Sequence, residues 1–133
     1  MKKSYSDVIK ETSEFYEKDP KNLRSITKCP EYAITECLYL GPNGNRCAFS
    51  RVCENTERVN EILRNSEDSM ASVVLTKHGF DILKEEYRHL KNTLFWDDIQ
   101  CLHDKDFFWD LQKNKLSKAG LSNLEQLYKL YGY

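Results

Sequence analysis

The sequence predicts a mainly helical α+β fold with one β-hairpin, and three observations support this prediction. Amphipathic patterns, with apolar residues three and four positions apart, recur along most of the chain. Around Asn43 and Gly44 lies the signature of a tight turn, flanked by β-forming residues. The length of 133 residues is that of one ordinary domain and is enough to bury a core. We therefore expect a single domain over residues 1–133, in which the hairpin can extend into a small antiparallel sheet.

The first predicted element is a helix over residues 5–18. Ser4 or Ser6 can cap its first turn, and Asp19-Pro20 is a strong stop signal at its end. Its apolar residues share one face, which we expect to pack on the core. That face consists of Val8, Ile9, Thr12, Phe15 and Tyr16.

A β-hairpin is predicted over residues 32–52. Asn43 and Gly44 both tolerate positive φ, which the tight turns of two-residue hairpins require. The arms on either side are rich in Ile, Thr, Tyr, Val and Phe, which favour strands. With the turn centred there, the expected cross-strand pairs are Leu40 with Cys47 and Cys37 with Ser50.

Cap and stop signals predict five more helices in the second half of the chain. Thr56 begins the first of them, and Gly120 ends the fourth. Ser122 and Glu125 are placed as a capping box for the fifth. Between the first and the second, the run 73–75 is predicted as a short strand beside the hairpin. The five helices are predicted over residues 56–64, 77–92, 93–104, 106–119 and 123–131.

Charge and composition exclude several classes of partner. Twenty Lys and Arg residues against 21 Asp and Glu residues give a formal net charge of −1, so neither nucleic acid nor an anionic membrane is expected as a partner. No apolar run approaches the length of a membrane span, and no apolar stretch follows Lys2-Lys3 as it would in a secretory signal. Five cysteines, an odd number without an export signal, indicate reduced thiols. The sequence therefore predicts a cytoplasmic protein.

Two blocks of the sequence carry a resemblance to a known family. The first is Cys37-Leu-Tyr-Leu-Gly-Pro-Asn-Gly-Asn-Arg-Cys-Ala48, and the second is Ile99-Gln-Cys-Leu-His-Asp104 with Trp109 downstream. Together they resemble a widespread, uncharacterised family of small bacteriophage and prophage proteins, with a Cys-Leu-Tyr-x-Gly-Pro-x-Gly-x-x-Cys-Ala hairpin and a later His-Asp pair followed by Trp. After Ala48 this chain departs from the family pattern. The resemblance implies a viral or mobile-element origin and a location in the host-cell cytoplasm.

The cysteines around the hairpin suggest a zinc site as one interpretation. Thiolates within reach of one another can bind zinc, and Cys37, Cys47 and Cys53 could be joined by Cys29 or a histidine. Structural zinc sites usually use close cysteine pairs two to four residues apart, which this spacing lacks. A Cys37–Cys47 disulfide is disfavoured because the expected register places Cys47 opposite Leu40. We therefore expect packing thiols, with no metal and no cofactor.

The pair His103-Asp104 resembles the metal-binding pair of HD-type phosphohydrolases. Only 29 residues follow Asp104, which leaves little room for the helical bundle of those enzymes. We expect instead that Asp104 or Asp106 caps the next helix while His103 donates to a backbone carbonyl. Cys101 and His103 are two residues apart on a helix and point to different faces, so they do not form a catalytic pair. A Cys47–His103 pair would need tertiary proximity.

Two runs of adjacent aromatic residues suggest a contact surface. Neighbouring residues on a helix point in different directions, so the runs 95–96 and 107–109 cannot face the core as a whole. We expect Phe95 and Phe108 to face inward. Trp96 and either Phe107 or Trp109 would then form an exposed patch for a partner, and a second layer of core is the alternative.

No complete catalytic signature occurs in the chain, so the sequence predicts a binding protein and not an enzyme. With the aromatic residues and the phage-family resemblance, this predicts an accessory factor that contacts a host protein, for instance as a counter-defence inhibitor. Neither the partner nor the oligomeric state is specified by the sequence. The residues expected to make binding contacts are Tyr39, Asn43, Arg46, Trp96, His103, Phe107 and Trp109.

Two other functions stay open as alternatives. Backbone N–H groups and the arginine at the hairpin tip, residues 43–46, can receive a phosphate or carboxylate. A pocket for a small nucleotide-like anion is therefore the first alternative, and a cysteine- or metal-dependent enzyme is the second. The anion pocket would be lined by Tyr39, Arg46, His103 and Trp109.

Overall fold

Helices dominate the described residues, which also form two short antiparallel strand pairs, so the predicted α+β fold class is confirmed. The structure is a computed structural model that describes residues 2–29, 34–41, 44–67 and 69–132, with the strands of the first pair described by their backbone alone. The helices in this part of the chain are α1 (Tyr5–Glu17), α2 (Pro20–Leu23), α3 (Ala48–Arg51), α4 (Glu57–Arg64), α5 (Ala71–His78), α6 (Thr93–Asp104) and α7 (Lys118–Tyr131).

The two strand pairs lie far apart in the sequence. In the first pair, strand β1 (Ile26–Cys29) runs antiparallel to β2 (Ile34–Cys37). In the second, β3 (Trp109–Asp110) runs antiparallel to β4 (Lys115–Leu116). Asn114 closes the turn of the second pair with a φ of 52°, a conformation that Asn tolerates better than most residues.

The first helix forms where its cap signals predict it. The Ser4 hydroxyl accepts a hydrogen bond from the Asp7 N–H at 3.0 Å, and the Asp7 carboxylate accepts one from the Ser4 N–H at 2.9 Å. This reciprocal capping box satisfies two donors that the first turn leaves without intrahelical partners. It fixes the start of α1, which buries Val8, Ile9 and Tyr16 in the core.

The predicted hairpin over residues 32–52 is wrong in its pairing. The chain before the turn pairs with the upstream strand β1, and the Leu38 N–H donates to the Ser25 carbonyl at 2.9 Å. Across the turn, the described residues form one bridge, between Leu40 and Arg46, and the Gly41 N–H donates to the Asn45 carbonyl at 2.8 Å. The backbone groups of the predicted first arm are therefore satisfied by an upstream partner that turn signals cannot reveal.

The predicted second arm of the hairpin is the helix α3. The Cys47 side chain caps it by accepting a hydrogen bond from the Ser50 N–H, with 3.4 Å between sulfur and nitrogen. The buried Ser50 hydroxyl donates to the Tyr39 carbonyl. This side-chain hydrogen bond joins α3 to the segment after β2, where the prediction had backbone hydrogen bonds between two strands. Cys37 lies opposite Ile26 in the β1–β2 pair, not opposite Ser50.

The predicted strand over 73–75 and the predicted helix over 77–92 are both wrong. Residues 73–75 lie inside α5, which ends at Gly79 with a φ of 89°. Beyond Gly79 the chain forms short 3-10 turns, and Leu83 forms a backbone bridge to Cys53. Two further hydrogen bonds, Lys84 N–H to Val52 O and Glu54 N–H to Ile82 O, hold this extended contact. Tertiary pairing thus overrides the helical pattern.

The predicted helices over 106–119 and 123–131 also need correction. A 3-10 turn and the β3–β4 pair replace the first, and α7 begins after Ser117, whose hydroxyl accepts the Gly120 N–H at 3.1 Å. Gly120 lies inside α7 and does not end a helix. A Cβ at this position would stand 2.0 Å from the Phe108 carbonyl oxygen, so close packing explains this glycine.

The core is built around α6, which packs against α1, α3, α5 and α7. Because α6 has neighbours on several sides, the adjacent residues Phe95 and Trp96 are both fully buried. The prediction that Trp96 is exposed is therefore wrong. Its indole N–H donates to the Leu90 carbonyl at 3.1 Å, which satisfies the one polar group of the side chain.

Candidate functional site

A cleft of about 310 Å³ opens between the first turn of α5 and the second half of α6. The loop between α4 and α5 and the segment after β2 close its other sides. A concave site with converging polar groups is the usual place to look for ligand recognition. The cleft is lined by Tyr39, Glu67, Ser69, Met70, Ala71, Asp97, Gln100, Cys101, Asp104 and Lys105.

One face of α6 forms the floor of the cleft. Asp97, Gln100, Cys101 and Asp104 follow each other at helical spacings of three, one and three residues, so they project from the same side. The opposite side of α6 buries Phe95, Trp96, Ile99 and Leu102 in the core. The floor residues are therefore carried by a rigid element, as a recognition site requires.

Two carboxylates at the cleft are anchored by backbone N–H groups. Glu67 accepts hydrogen bonds from the N–H groups of Tyr39, at 2.7 Å, and Leu40, at 3.3 Å. Asp97 accepts one from the Ser72 N–H, at 2.8 Å, through its Oδ1 atom. Ser72 lies in the first turn of α5, where backbone donors lack intrahelical partners, so Asp97 acts as a cap from another helix.

The third carboxylate, that of Asp104, is anchored by side chains. Its Oδ1 atom accepts from the Gln100 Nε2 at 2.6 Å and from the His103 Nδ1 at 2.8 Å. Gln100 is itself fixed, because its Oε1 accepts the Phe49 N–H at 2.9 Å. Asp104 ends α6 and does not cap a following helix, so the predicted capping role is wrong.

The cleft carries a negative charge with free acceptor atoms. Among the described residues, the Oδ2 atoms of Asp97 and Asp104 have no hydrogen-bond partner. The described lining holds three carboxylates against one ammonium group, that of Lys105. The site is therefore arranged to accept hydrogen bonds and positive charge.

His103 lies beneath the cleft, fully buried. Its Nε2 accepts the Ser25 N–H at 3.0 Å, so the ring proton lies on Nδ1 and is donated to Asp104. The predicted donation to a backbone carbonyl is therefore wrong. Burial lowers the pKa of His103 below its ordinary value, although the hydrogen bond to Asp104 acts in the opposite direction. The imidazole is thus a neutral structural group.

A buried arginine connects the end of α6 to the segment before β1. The Arg24 guanidinium donates through Nε to the His103 carbonyl at 2.7 Å and through Nη2 to the Asp104 carbonyl at 3.0 Å. Its Nη1 pairs with Asp106 at 3.0 Å. Its central carbon also lies 5.9 Å from the Trp109 ring centre. Arg24 thus satisfies the last carbonyls of α6 in a way the sequence did not indicate.

The four residues predicted to line an anion pocket do not meet in one site. Tyr39 lines the cleft, but His103 and Trp109 are buried, and the Trp109 indole N–H donates to the Leu102 carbonyl at 3.0 Å. The Arg46 guanidinium donates to Ser50, Asn55 and Asn60 oxygens at 2.7 to 3.1 Å. Its donors therefore stabilise the fold around α3 and α4.

The other predicted contact residues lie in different parts of the structure. Phe107 is 64% exposed, as expected for a member of a surface patch, whereas Trp96 belongs to the core. Phe107 does not line the cleft. Asn43 lies outside the described residues, whereas Gly44, the other residue at the centre of the predicted turn, has a φ of 76°.

The described cysteines behave as packing residues. Cys47 and Cys53 are buried, and burial raises the pKa of the Cys53 thiol far above its ordinary value. Cys101 lines the cleft half-buried, and burial also raises its pKa. Thiol nucleophiles need the opposite shift. Among the described side chains, no group of three or more His, Cys, Asp and Glu residues is placed to hold a metal ion.

Exposed apolar side chains border the cleft. Met70, at its rim, is 60% exposed, while Val73 and Leu94 line an adjoining depression and are 50% and 65% exposed. The depression and the cleft meet at the first turn of α5, where Ser72 lines one and is hydrogen-bonded to Asp97 of the other. We call the cleft with Met70, Val73 and Leu94 the α5–α6 surface. No motif in the sequence indicates this surface.

Comparisons with protein-family models, with curated proteins and with solved structures find no match for this chain. The phage-family resemblance therefore stays a prediction. In the described part of the chain, the helices are too short or too polar to cross a membrane.

Proposed function

We propose that this chain is an accessory binding protein that recognises another protein through the α5–α6 surface. The observation that carries the proposal is the exposure of Met70, Val73 and Leu94 beside a cleft. Large apolar side chains that cluster at a concave surface are typical of protein contact sites. Their burial by a partner would provide the hydrophobic part of the binding free energy.

The charge of the cleft argues against capture of a small anion. Glu67, Asp97 and Asp104 would repel a phosphate or a carboxylate, and one nearby ammonium group does not compensate them. The Arg46 guanidinium, predicted to bind the anion, is engaged with neighbouring oxygens. A protein partner fits the observations better than a nucleotide does.

The state of Cys53 and Cys101 argues against a nucleophilic role for these two thiols. Catalytic cysteines act as thiolates, whereas burial raises the pKa of both Cys53 and Cys101. The buried His103 has both ring nitrogens in hydrogen bonds, to Ser25 and Asp104, and does not line the cleft. We therefore favour a binding function over a catalytic function for this chain.

The resemblance of two sequence blocks to small phage proteins supports a host protein as the partner. On this proposal the chain acts in the host cytoplasm, and inhibition of a host defence factor is the role we favour. Such an inhibitor needs a contact surface and no chemistry of its own, which suits the exposed apolar residues of the α5–α6 surface.

The test is native mass spectrometry of the tagged chain purified from host lysate, with two variants beside the wild type. Val73→Ser with Leu94→Ser removes apolar area from the α5–α6 surface at exposed positions. Leu130→Ser is the matched control, because Leu130 is 55% exposed on α7, outside this surface. We expect a co-purified protein subunit with the wild type and the control, and its loss in the double variant.

Two results would contradict the proposal. One is an added mass of a few hundred daltons in place of a subunit, which would favour the small-ligand alternative. The other is a subunit that stays bound to the double variant as tightly as to the wild type, which would move the contact surface elsewhere.

A further inference from the structure

We infer that the partner contacts the α5–α6 surface with a basic, amphipathic segment. Its apolar side chains pack on Met70, Val73 and Leu94. A Lys or Arg side chain of the same segment enters the cleft and pairs with Asp97 or Asp104. This inference rests on the proposed function and adds the chemistry of the occupant.

The carboxylates of Asp97 and Asp104 are preorganised to bind a cation. Asp97 and Asp104 each use Oδ1 for an internal hydrogen bond and, among the described residues, leave Oδ2 without a partner. The anchoring bonds fix the orientation of both groups before any ligand arrives. A cation therefore meets acceptors that lose little conformational entropy on binding.

The shape of the cleft strengthens the attraction between its carboxylates and a cation. The walls include Tyr39, Met70 and Ala71, so an ammonium or guanidinium group that enters the cleft is partly removed from water. Charge pairs in such places interact more strongly than they do on an open surface. The aliphatic stem of a Lys or Arg side chain would pack on the same walls.

The apolar and acidic parts of the surface are close enough for one segment to cover both. The Asp97 carboxylate is hydrogen-bonded to the Ser72 N–H, and Val73 follows Ser72 directly on α5. Asp97 lies three residues after Leu94 on α6, which places the two within one helical turn. A basic residue near apolar residues in the partner's sequence therefore matches this layout.

The experiment selects binders from a library of random twelve-residue peptides displayed on phage, with the immobilised full chain as bait. We expect the enriched peptides to contain Lys or Arg beside Leu, Met or Phe. The strongest peptide is then synthesised, and its affinity is measured by fluorescence anisotropy.

Charge-neutral variants test the role of the carboxylates. Asp97→Asn with Asp104→Asn removes both charges but keeps an oxygen at each anchored position, so the internal hydrogen bonds can persist. Glu85→Gln with Glu125→Gln removes the same number of charges at exposed positions outside the cleft. We expect the first pair to weaken peptide binding by roughly tenfold or more and the second pair to leave it unchanged.

A salt titration of the wild type keeps the inference falsifiable if the Asn variants fold poorly. Raising the salt concentration from about 0.05 to about 0.5 M screens the charge pairs and should weaken binding. Enriched peptides that lack Lys and Arg, or bind independently of salt and of the Asn variants, would overturn this inference and leave the proposed function standing. Enrichment of acidic peptides would likewise overturn this inference alone, whereas no enrichment at all would contradict both.

Discussion

At the scale of single residues, the buried polar groups find partners far away in the sequence. His103 is bonded to the Ser25 N–H, Gln100 accepts the Phe49 N–H, and the Tyr16 hydroxyl donates to the Arg46 carbonyl at 2.6 Å. The sequence singles out His103 as part of a His-Asp pair. It does not indicate whether this side chain binds a ligand or stabilises the fold. Partners separated by tens of residues are set by the tertiary structure, which a linear pattern does not contain.

The buried state of His103 predicts a pH dependence of stability. Burial lowers the pKa of this imidazole in the folded chain, while in the unfolded chain the pKa keeps its ordinary value of 6.5. Below pH 6.5 the unfolded state therefore binds a proton that the folded state does not, and the free energy of unfolding falls. We expect a decrease of at most about 1.4 kcal/mol per pH unit between about pH 7 and pH 5, measured by urea unfolding.

Two variants show whether His103 causes this slope. His103→Gln keeps an acceptor for the Ser25 N–H but does not titrate, so its stability should vary less with pH in this window, even though its overall stability is lower. His89→Gln changes an exposed histidine and should keep the wild-type slope. Equal slopes in all three proteins would show that His103 is not the group responsible.

At the scale of elements, the sequence predicts helix caps better than strand pairing. α6 covers the same residues, 93–104, as the predicted helix, and Thr56 caps α4 by accepting the Val59 N–H at 3.2 Å. These signals are local, so a short window of sequence contains them. Strand pairing depends on a partner elsewhere, which is why the β1–β2 pair replaced the predicted hairpin.

The candidate site was missed for the same reason. The polar stripe of Asp97, Gln100, Cys101 and Asp104 can be read from the spacing on α6, but no motif distinguishes it from a solvated face. The residues that make it a cleft, among them Tyr39 and Met70, come from other elements. Predicting the cleft would have required the packing of α5 against α6.

Gly120 provides a test of element packing, because two effects of Gly120→Ala oppose each other. Alanine favours an α-helix over glycine by about 1 kcal/mol, which would stabilise α7. The added Cβ would stand 2.0 Å from the Phe108 carbonyl oxygen, a contact the backbone cannot relieve without moving α7. We expect the clash to win and the variant to lose about 1–3 kcal/mol in urea unfolding.

The matched control for Gly120→Ala is Ser122→Ala, an exposed position in the same helix. It gains helix propensity without a clash, so its stability should stay equal or rise by up to about 0.5 kcal/mol. Stabilisation by Gly120→Ala would mean that α7 does not pack this closely against residues 106–108.

At the scale of the whole molecule, the two tryptophans report on cooperativity. Trp96 lies in α6 and Trp109 in β3, and both are buried. We expect weak acrylamide quenching of both in the native state. In the single-tryptophan variants Trp96→Phe and Trp109→Phe, the fluorescence transition of the remaining tryptophan should coincide with that of far-ultraviolet circular dichroism, because one continuous core unfolds as a unit.

A different outcome would change the description of the molecule. If, in either variant, the remaining tryptophan reports a midpoint that differs from the circular dichroism midpoint, the region around it unfolds independently. Strong quenching in the native state would contradict the burial of these side chains.

Arg24 has a consequence for synthesis on the ribosome. Its guanidinium is fully buried only because the carbonyls of His103 and Asp104, about eighty positions later, receive it. While the nascent chain lacks α6, this charge has no place in a core and stays in water. The segment around Arg24 therefore reaches its final packing during translation only after α6 has left the exit tunnel.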